Sequence, residues 1–138
     1  MIAAVIAGIL ALASPDPSCT GPDISVTGLR ISLVKGSDKT NVPDRFLITA
    51  DLTNVGGAPQ QPRVAQHTEL VRDGSVVATQ PLPPLASGIT YPLQFRIFRS
   101  PKQRKDPLEV LVRYVLDEKT RSPLANCLGT NDSMQKIF

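Results

Sequence analysis

Few side chains in this sequence could carry out catalysis. His67 is the only histidine, so any general base built on an imidazole must use it. Glu69 would lie on the same face of an extended strand, about 7 Å away. The pair could share a metal ion, but a metal site needs three or four ligands and the nearby sequence supplies no others. We predict no catalytic residue, no metal and no cofactor, and we interpret the pair as part of a solvated outer face.

The chain has two cysteines, Cys19 and Cys127. An even number of cysteines in an exported protein favours a disulfide over a metal site or a nucleophile. We therefore predict one Cys19–Cys127 bridge. The alternative is two unpaired, buried thiols.

Five basic residues and no acidic one occur between residues 96 and 105 of a chain with net charge +3. A turn between two strands would present them together, to phosphates of an envelope polymer, to lipid headgroups or to an acidic partner. The alternative is a solvated loop. Nucleic acid is not predicted, because no aromatic platform adjoins the run. The candidate binding residues are Arg96, Arg99, Lys102, Arg104 and Lys105.

The first thirteen residues, Met1 to Ala13, carry no charge. An apolar run that ends in small residues is typical of a signal peptide, although this one lacks a basic residue at its start. We predict an apolar signal helix over 1–13, cleavage before Ser14, and a single exported domain over 14–138, placed in the periplasm, in the medium or at the cell surface. The alternative is a short membrane anchor, but a span needs about 20 apolar residues.

The elements that must position these residues are strands. Phe46, Ile48, Ala50 and Leu52 alternate with polar positions, which predicts a half-buried strand. Asn54 and the pair Gly56-Gly57 are expected to end it, because they tolerate positive φ.

The same alternation predicts six further strands. Leu29, Ile31 and Leu33 share a face, and Val26 joins them only if Gly28 carries a bulge. The pair Asp73-Gly74 predicts a hairpin, and Pro92 suggests an edge strand. With 13 prolines and only 4% aromatic residues, the chain is predicted to be all-β, an immunoglobulin-like antiparallel sandwich of about seven strands. The inward sets of the last long strands are Tyr91, Leu93, Phe95 and Ile97, then Val110, Val112, Tyr114 and Leu116.

An ordered set of short motifs resembles the CARDB family, the cell-adhesion-related domain of bacterial and archaeal surface proteins. The resemblance covers residues 24–138, and it implies an extracellular or periplasmic adhesion or accessory module without catalytic residues. The motifs are Asn54-Val55-Gly56, Asp73-Gly74, Leu85-Ala86-Ser87-Gly88 and the segment from Val112 to Asp117.

We therefore predict a non-catalytic module that engages a protein of the cell envelope or of a surface assembly, by strand addition at the edge from Met134 to Phe138. One alternative is a polysaccharide-binding domain that uses Phe98, Tyr91 or Phe138 as platforms. A second is a small secreted hydrolase that uses His67. Contact with a membrane would come only through the uncleaved N-terminal segment. Asn131-Asp132-Ser133 matches the N-glycosylation pattern, which often occurs by chance.

Overall fold

The computed structural model describes residues 20–36, 42–62, 64–100, 105–115 and 131–138. The predicted signal peptide, Cys19, Cys127 and Leu116 lie outside these residues, so those predictions stay untested. The described residues include no helix long and apolar enough to cross a membrane.

Seven strands, β1 to β7, form two antiparallel sheets in the described part of the chain, and this confirms the predicted sandwich. Sheet A has three strands in the order β1-β2-β5, and sheet B has four in the order β4-β3-β6-β7. The strands are β1 (Ile24–Lys35), β2 (Asp44–Asn54), β3 (Ala65–Arg72), β4 (Ser75–Pro81), β5 (Thr90–Arg99), β6 (Pro107–Val115) and β7 (Ser133–Ile137).

The core lies between the two sheets, and one face of the central strand β2 is buried in it. Every second residue of β2 is buried, as the alternation predicts. Residues from both sheets meet there, and burying one such side chain contributes about 1.5–3 kcal/mol. The largest fully buried apolar side chains are Phe95, Ile24, Ile48, Leu52, Leu70, Leu108 and Val110.

Strand β1 carries the predicted bulge. The pairing of β1 with β2 shifts between Val26 and Gly28, and Val26 is buried at 4% exposure. A Cβ at Gly28 would lie 2.7 Å from Asp51 Oδ2, so a larger residue would displace that side chain. Leu33 lies on the predicted face, since it is paired with the buried Phe46, but its own side chain is 57% exposed. A second shift follows it, between Leu33 and Lys35 at the end of the strand.

The connections at the two ends of the sandwich follow different physical rules. Asp73 and Gly74 both have positive φ, 48° and 78°, as a two-residue hairpin turn of type I′ requires. Gly56 does not have the positive φ expected from the sequence, since only Gly74 and Gly88 among the described glycines do. Close packing demands a glycine there instead: a Cβ at Gly56 would lie 2.2 Å from the carbonyl oxygen of Gly21.

The buried side chain of Asn54 fixes the end of β2. Its Oδ1 accepts hydrogen bonds from the backbone N–H groups of Asp23 and Gly56, each at 3.0 Å. Its Nδ2 donates to the carbonyl oxygens of Ala58 at 2.9 Å and Leu85 at 3.0 Å. Four hydrogen bonds satisfy this amide, so Asn54 has a structural role.

Candidate functional site

The predicted basic cluster does not lie on one surface. Arg96 is exposed on the outer face of sheet A. Arg99 turns to the opposite side, because residues an odd number of positions apart in a strand face opposite ways. Its guanidinium carbon lies 4.7 Å from the ring centroid of Phe46 and 4.8 Å from that of Phe138. Lys105 is exposed, and Lys102 and Arg104 lie outside the described residues.

Arg99 therefore belongs to a packed cluster at one end of the sandwich. The rings of Phe46 and Phe138 meet edge to face, with centroids 4.8 Å apart. Arg72 stacks over Phe138 at 4.7 Å and donates a hydrogen bond of 3.0 Å to the carbonyl oxygen of Phe98. Phe138 is buried at 3% exposure, so it cannot serve as an exposed platform for a sugar. Tyr91 is half-buried.

The hydrogen-bonding phase of sheet A sets which side chains meet on its outer face. The backbone N–H of Asn54 donates to the carbonyl oxygen of Ile89 at 3.1 Å. Asn54 and Ile89 are therefore a hydrogen-bonded pair, and such pairs alternate along antiparallel strands. The register of β2 and β5 then makes Arg45–Phe98 and Leu47–Arg96 non-hydrogen-bonded pairs. Side chains in such pairs approach closely, with Cβ atoms about 4.5–5.5 Å apart.

These four residues form what we call the checkerboard: Arg45, Leu47, Arg96 and Phe98. Arg45 and Leu47 lie two positions apart on β2, and Arg96 and Phe98 lie two apart on β5, so the two arginines occupy one diagonal and the two apolar residues the other. Phe98 is 57% exposed. Within the described part of the chain, neither arginine side chain has an ion pair or a hydrogen bond.

Two groups of polar side chains on this outer face bond among themselves. Arg30 Nη2 donates to Asp51 Oδ1 at 3.2 Å, and this hydrogen bonding lowers the pKa of the Asp51 carboxyl. The hydroxyl of Thr53 lies 2.9 Å from that of Thr27 and 2.8 Å from that of Thr90. The charges left without a partner on the described part of this face are therefore those of the checkerboard.

The outer face of sheet B carries His67 and Glu69, on one side of β3 as predicted. His67 Nε2 lies 3.1 Å from Glu69 Oε2, and Arg113 Nε donates to Glu69 Oε1 at 3.1 Å. The contact with His67, and then that with Arg113, hold the pKa of Glu69 below its ordinary value. No Ser, Thr or Cys side chain in the described segments bonds to the His67 ring. Nor do these segments bring together three His, Cys, Asp or Glu residues able to hold a metal ion.

Near the start of β1, a polar group contacts the last loop. Asn131 Nδ2 donates to Asp23 Oδ2 at 2.9 Å, so the amide that a glycan would modify is already engaged. Burial raises the pKa of the nearby Tyr114 hydroxyl, and the charges of Asp132 and Asp23 raise it further.

The predicted edge strand β7 lies at the edge of sheet B. Phe138 exchanges two backbone hydrogen bonds of 2.9 Å with Asp106, so the backbone groups of the alternate residues Ser133, Gln135 and Ile137 turn away from β6. Lys136 Nζ donates to the carbonyl oxygen of Leu29 on β1 at 3.3 Å. Binding by strand addition at this edge stays a prediction.

No protein-family model matches the sequence. No curated protein sequence matches it either.

Two solved structures resemble the fold over most of the chain. One is a domain of a "putative cell surface protein" from Methanosarcina acetivorans, with 20% identity, coverage of 84% of this chain and 89% of that chain, and a TM-score of 0.56. The other is a CARDB domain from Pyrococcus furiosus, solved in complex with di-metal ions, with 17% identity, coverage of 89% and 91%, and a TM-score of 0.58.

The architecture is thus that of an immunoglobulin-like β-sandwich. Its particular form is CARDB-like, as the sequence motifs indicate. At these identities the likeness describes the fold alone.

Proposed function

We propose that this chain is a non-catalytic binding module of the cell surface or envelope, and that it engages a protein partner through the checkerboard. The observation that carries the proposal is a pair of exposed arginines, Arg45 and Arg96. They have no partner in the described part of the chain and lie beside the exposed ring of Phe98. These residue types are enriched where proteins bind one another.

The physics of the checkerboard favours an acidic partner. Unpaired guanidinium groups attract carboxylates and speed the encounter of the two proteins. The apolar diagonal, Leu47 and Phe98, gains free energy when a partner removes it from water. Because the arginines are exposed, their contribution should weaken as salt concentration rises.

The similar structures support a surface location, since one carries the name of a cell surface protein. The bound metal ions of the other do not transfer to the described residues of this chain, where no suitable group of ligands occurs. The carboxylate of Glu69, which lies beside the only histidine, contacts His67 through one oxygen and accepts a hydrogen bond from Arg113 through the other.

A polysaccharide-binding domain is the second candidate, because Phe98 could stack on a sugar ring. It is weaker, since Phe98 is the one aromatic side chain among the three candidates that is largely exposed. A protein partner needs only one such anchor at the centre of its interface.

The test is affinity capture from an envelope fraction with the full chain, followed by cross-linking and identification of the partner. The double variant Arg45→Gln/Arg96→Gln should lose the partner, and wild-type capture should fall between low and high salt. The matched control, Lys105→Gln/Arg113→Gln, removes the same number of charges outside the checkerboard and should retain the partner. Equal loss in both variants would make net charge, rather than the checkerboard, the cause and would overturn the proposal.

A further inference from the structure

We infer that the checkerboard recognises an extended acidic segment of its partner, with carboxylates at alternate positions, i and i+2. The inference rests on the proposed function and specifies the chemistry of the partner at the same site.

The spacing of the two arginines is the first argument. Arg45 and Arg96 lie on adjacent strands as diagonal neighbours. Arg45 is opposite Phe98, and Arg96 lies two residues before Phe98 on β5. Diagonal neighbours of this kind lie about 7–8 Å apart. In an extended peptide, residues i and i+2 share a face and lie about 7 Å apart. One guanidinium can therefore meet each carboxylate, whereas acidic residues at i and i+1 would face opposite ways.

The apolar diagonal is the second argument. A segment that runs from Arg45 to Arg96 passes between Leu47 and Phe98. Both flanking side chains can contact the methylene groups of a bound acidic residue. Glutamate offers one methylene more than aspartate, so we expect the segment to carry Glu. Burial of each additional methylene favours binding.

The neighbouring charges are the third argument. Asp51, the acidic side chain on the described outer face of sheet A, is held by Arg30 through two hydrogen bonds. It therefore does not compete for the checkerboard arginines. A ligand carboxylate would be the first acidic partner of Arg45 and Arg96 among the groups that the structure describes.

The experiment uses two capped peptides of identical composition, Thr-Ser-Glu-Val-Glu-Ser-Thr and Thr-Ser-Glu-Glu-Val-Ser-Thr. Binding to the full chain is followed by amide and arginine side-chain chemical shifts in a titration. The alternating peptide should bind about threefold to fivefold tighter, the gain from one additional exposed ion pair. Arg45→Gln or Arg96→Gln should remove that advantage, and the control Arg113→Gln should keep it.

The outcomes separate this inference from the proposed function. Equal binding of both peptides, with partner capture still lost in Arg45→Gln/Arg96→Gln, would overturn the spacing rule alone. Peptide binding and partner capture that both ignore the checkerboard variants would overturn both. Tighter binding of an acidic oligosaccharide such as oligogalacturonate, lost in the same variants, would replace the peptide with a polysaccharide as the ligand.

Discussion

The two outer faces of the sandwich differ in how their charges are paired. On sheet B, Glu69 bonds to both His67 and Arg113, and Glu109 accepts a hydrogen bond of 3.3 Å from Gln135. On sheet A, the end of the face around Arg30 and Asp51 is paired in the same way. The other end of sheet A keeps Arg45 and Arg96 exposed without partners among the described residues.

This difference separates groups that serve the fold from groups that are available to a ligand. An exposed ion pair contributes little to stability, but it does occupy the charges that would otherwise attract another molecule. Both faces also expose large apolar side chains, among them Phe98 at 57% on sheet A and Ile137 at 64% on sheet B. Apolar exposure alone therefore does not distinguish the faces, and the combination with unpaired charge does.

The largest expected effect is a difference in folding stability between variants of two arginines on β5. Arg99→Gln should lower the free energy of unfolding by about 1–2 kcal/mol, because it removes a cation–π contact with two rings. Arg96→Gln, three residues earlier, should change it by less than about 0.5 kcal/mol, as an exposed position does. Urea unfolding measures both. If Arg96→Gln were the more destabilising change, the assignment of Arg96 to the free outer face would be wrong.

The next effect concerns the two exposed apolar side chains. Phe98→Ser should weaken partner binding about tenfold, because an aromatic anchor is lost from the interface. The matched change on sheet B, Ile137→Ser, should leave binding unchanged. Binding isotherms at one salt concentration compare the variants, and unfolding curves check that both fold. A larger loss of binding in Ile137→Ser would move the site to sheet B.

The strands and their faces could be predicted from the sequence because alternation is a local signal. Phe46 to Leu52 shows one buried residue in every two, and the structure confirms it. Leu33 has the same alternation, yet it is exposed at the end of an edge strand. Where a strand leaves the cover of the opposite sheet is a property of the whole fold.

The candidate site could be predicted only in part, for a similar reason. Arg96 was recognisable in a run of basic residues, but a linear run does not specify a surface, and Arg99 turns inward to Phe46 and Phe138. Arg45 and Leu47 were missed because they are distant in the sequence and meet β5 only through the register of the strands. Both residues flank the buried Phe46, so the alternation of β2 places them on the outer face. Only the pairing of β2 with β5 shows that Arg96 and Phe98 lie beside them.

A smaller effect tests the edge of sheet B against the face of sheet A. The N–H of Gln135 turns away from β6, so Gln135→Pro keeps the β6–β7 ladder and removes a donor that an added strand would need. We expect partner binding to stay within about twofold of wild type if the checkerboard is the site, since surface changes away from it have little effect. Binding is compared by titration, with Phe98→Ser as the positive control. Complete loss of binding in Gln135→Pro would favour strand addition at β7.

The smallest effect is the response of the two faces to acid. The pKa values of Glu69 and Asp51 are both lowered in the folded protein, so each carboxylate stabilises the fold above its unfolded pKa. That stability is lost as the pH falls through the lowered, folded pKa. Glu69→Gln should therefore reduce stability at pH 7 and lose its effect at a pH well below the ordinary Glu value of 4.5. Asp51→Asn should behave alike, but with a smaller difference, because Asp51 has one bonded cation where Glu69 has two basic partners. Urea unfolding of wild type and both variants across this pH range measures the effect. If the difference in free energy of unfolding between wild type and variant persisted unchanged in acid, the charge of the carboxylate would not be the cause of that difference.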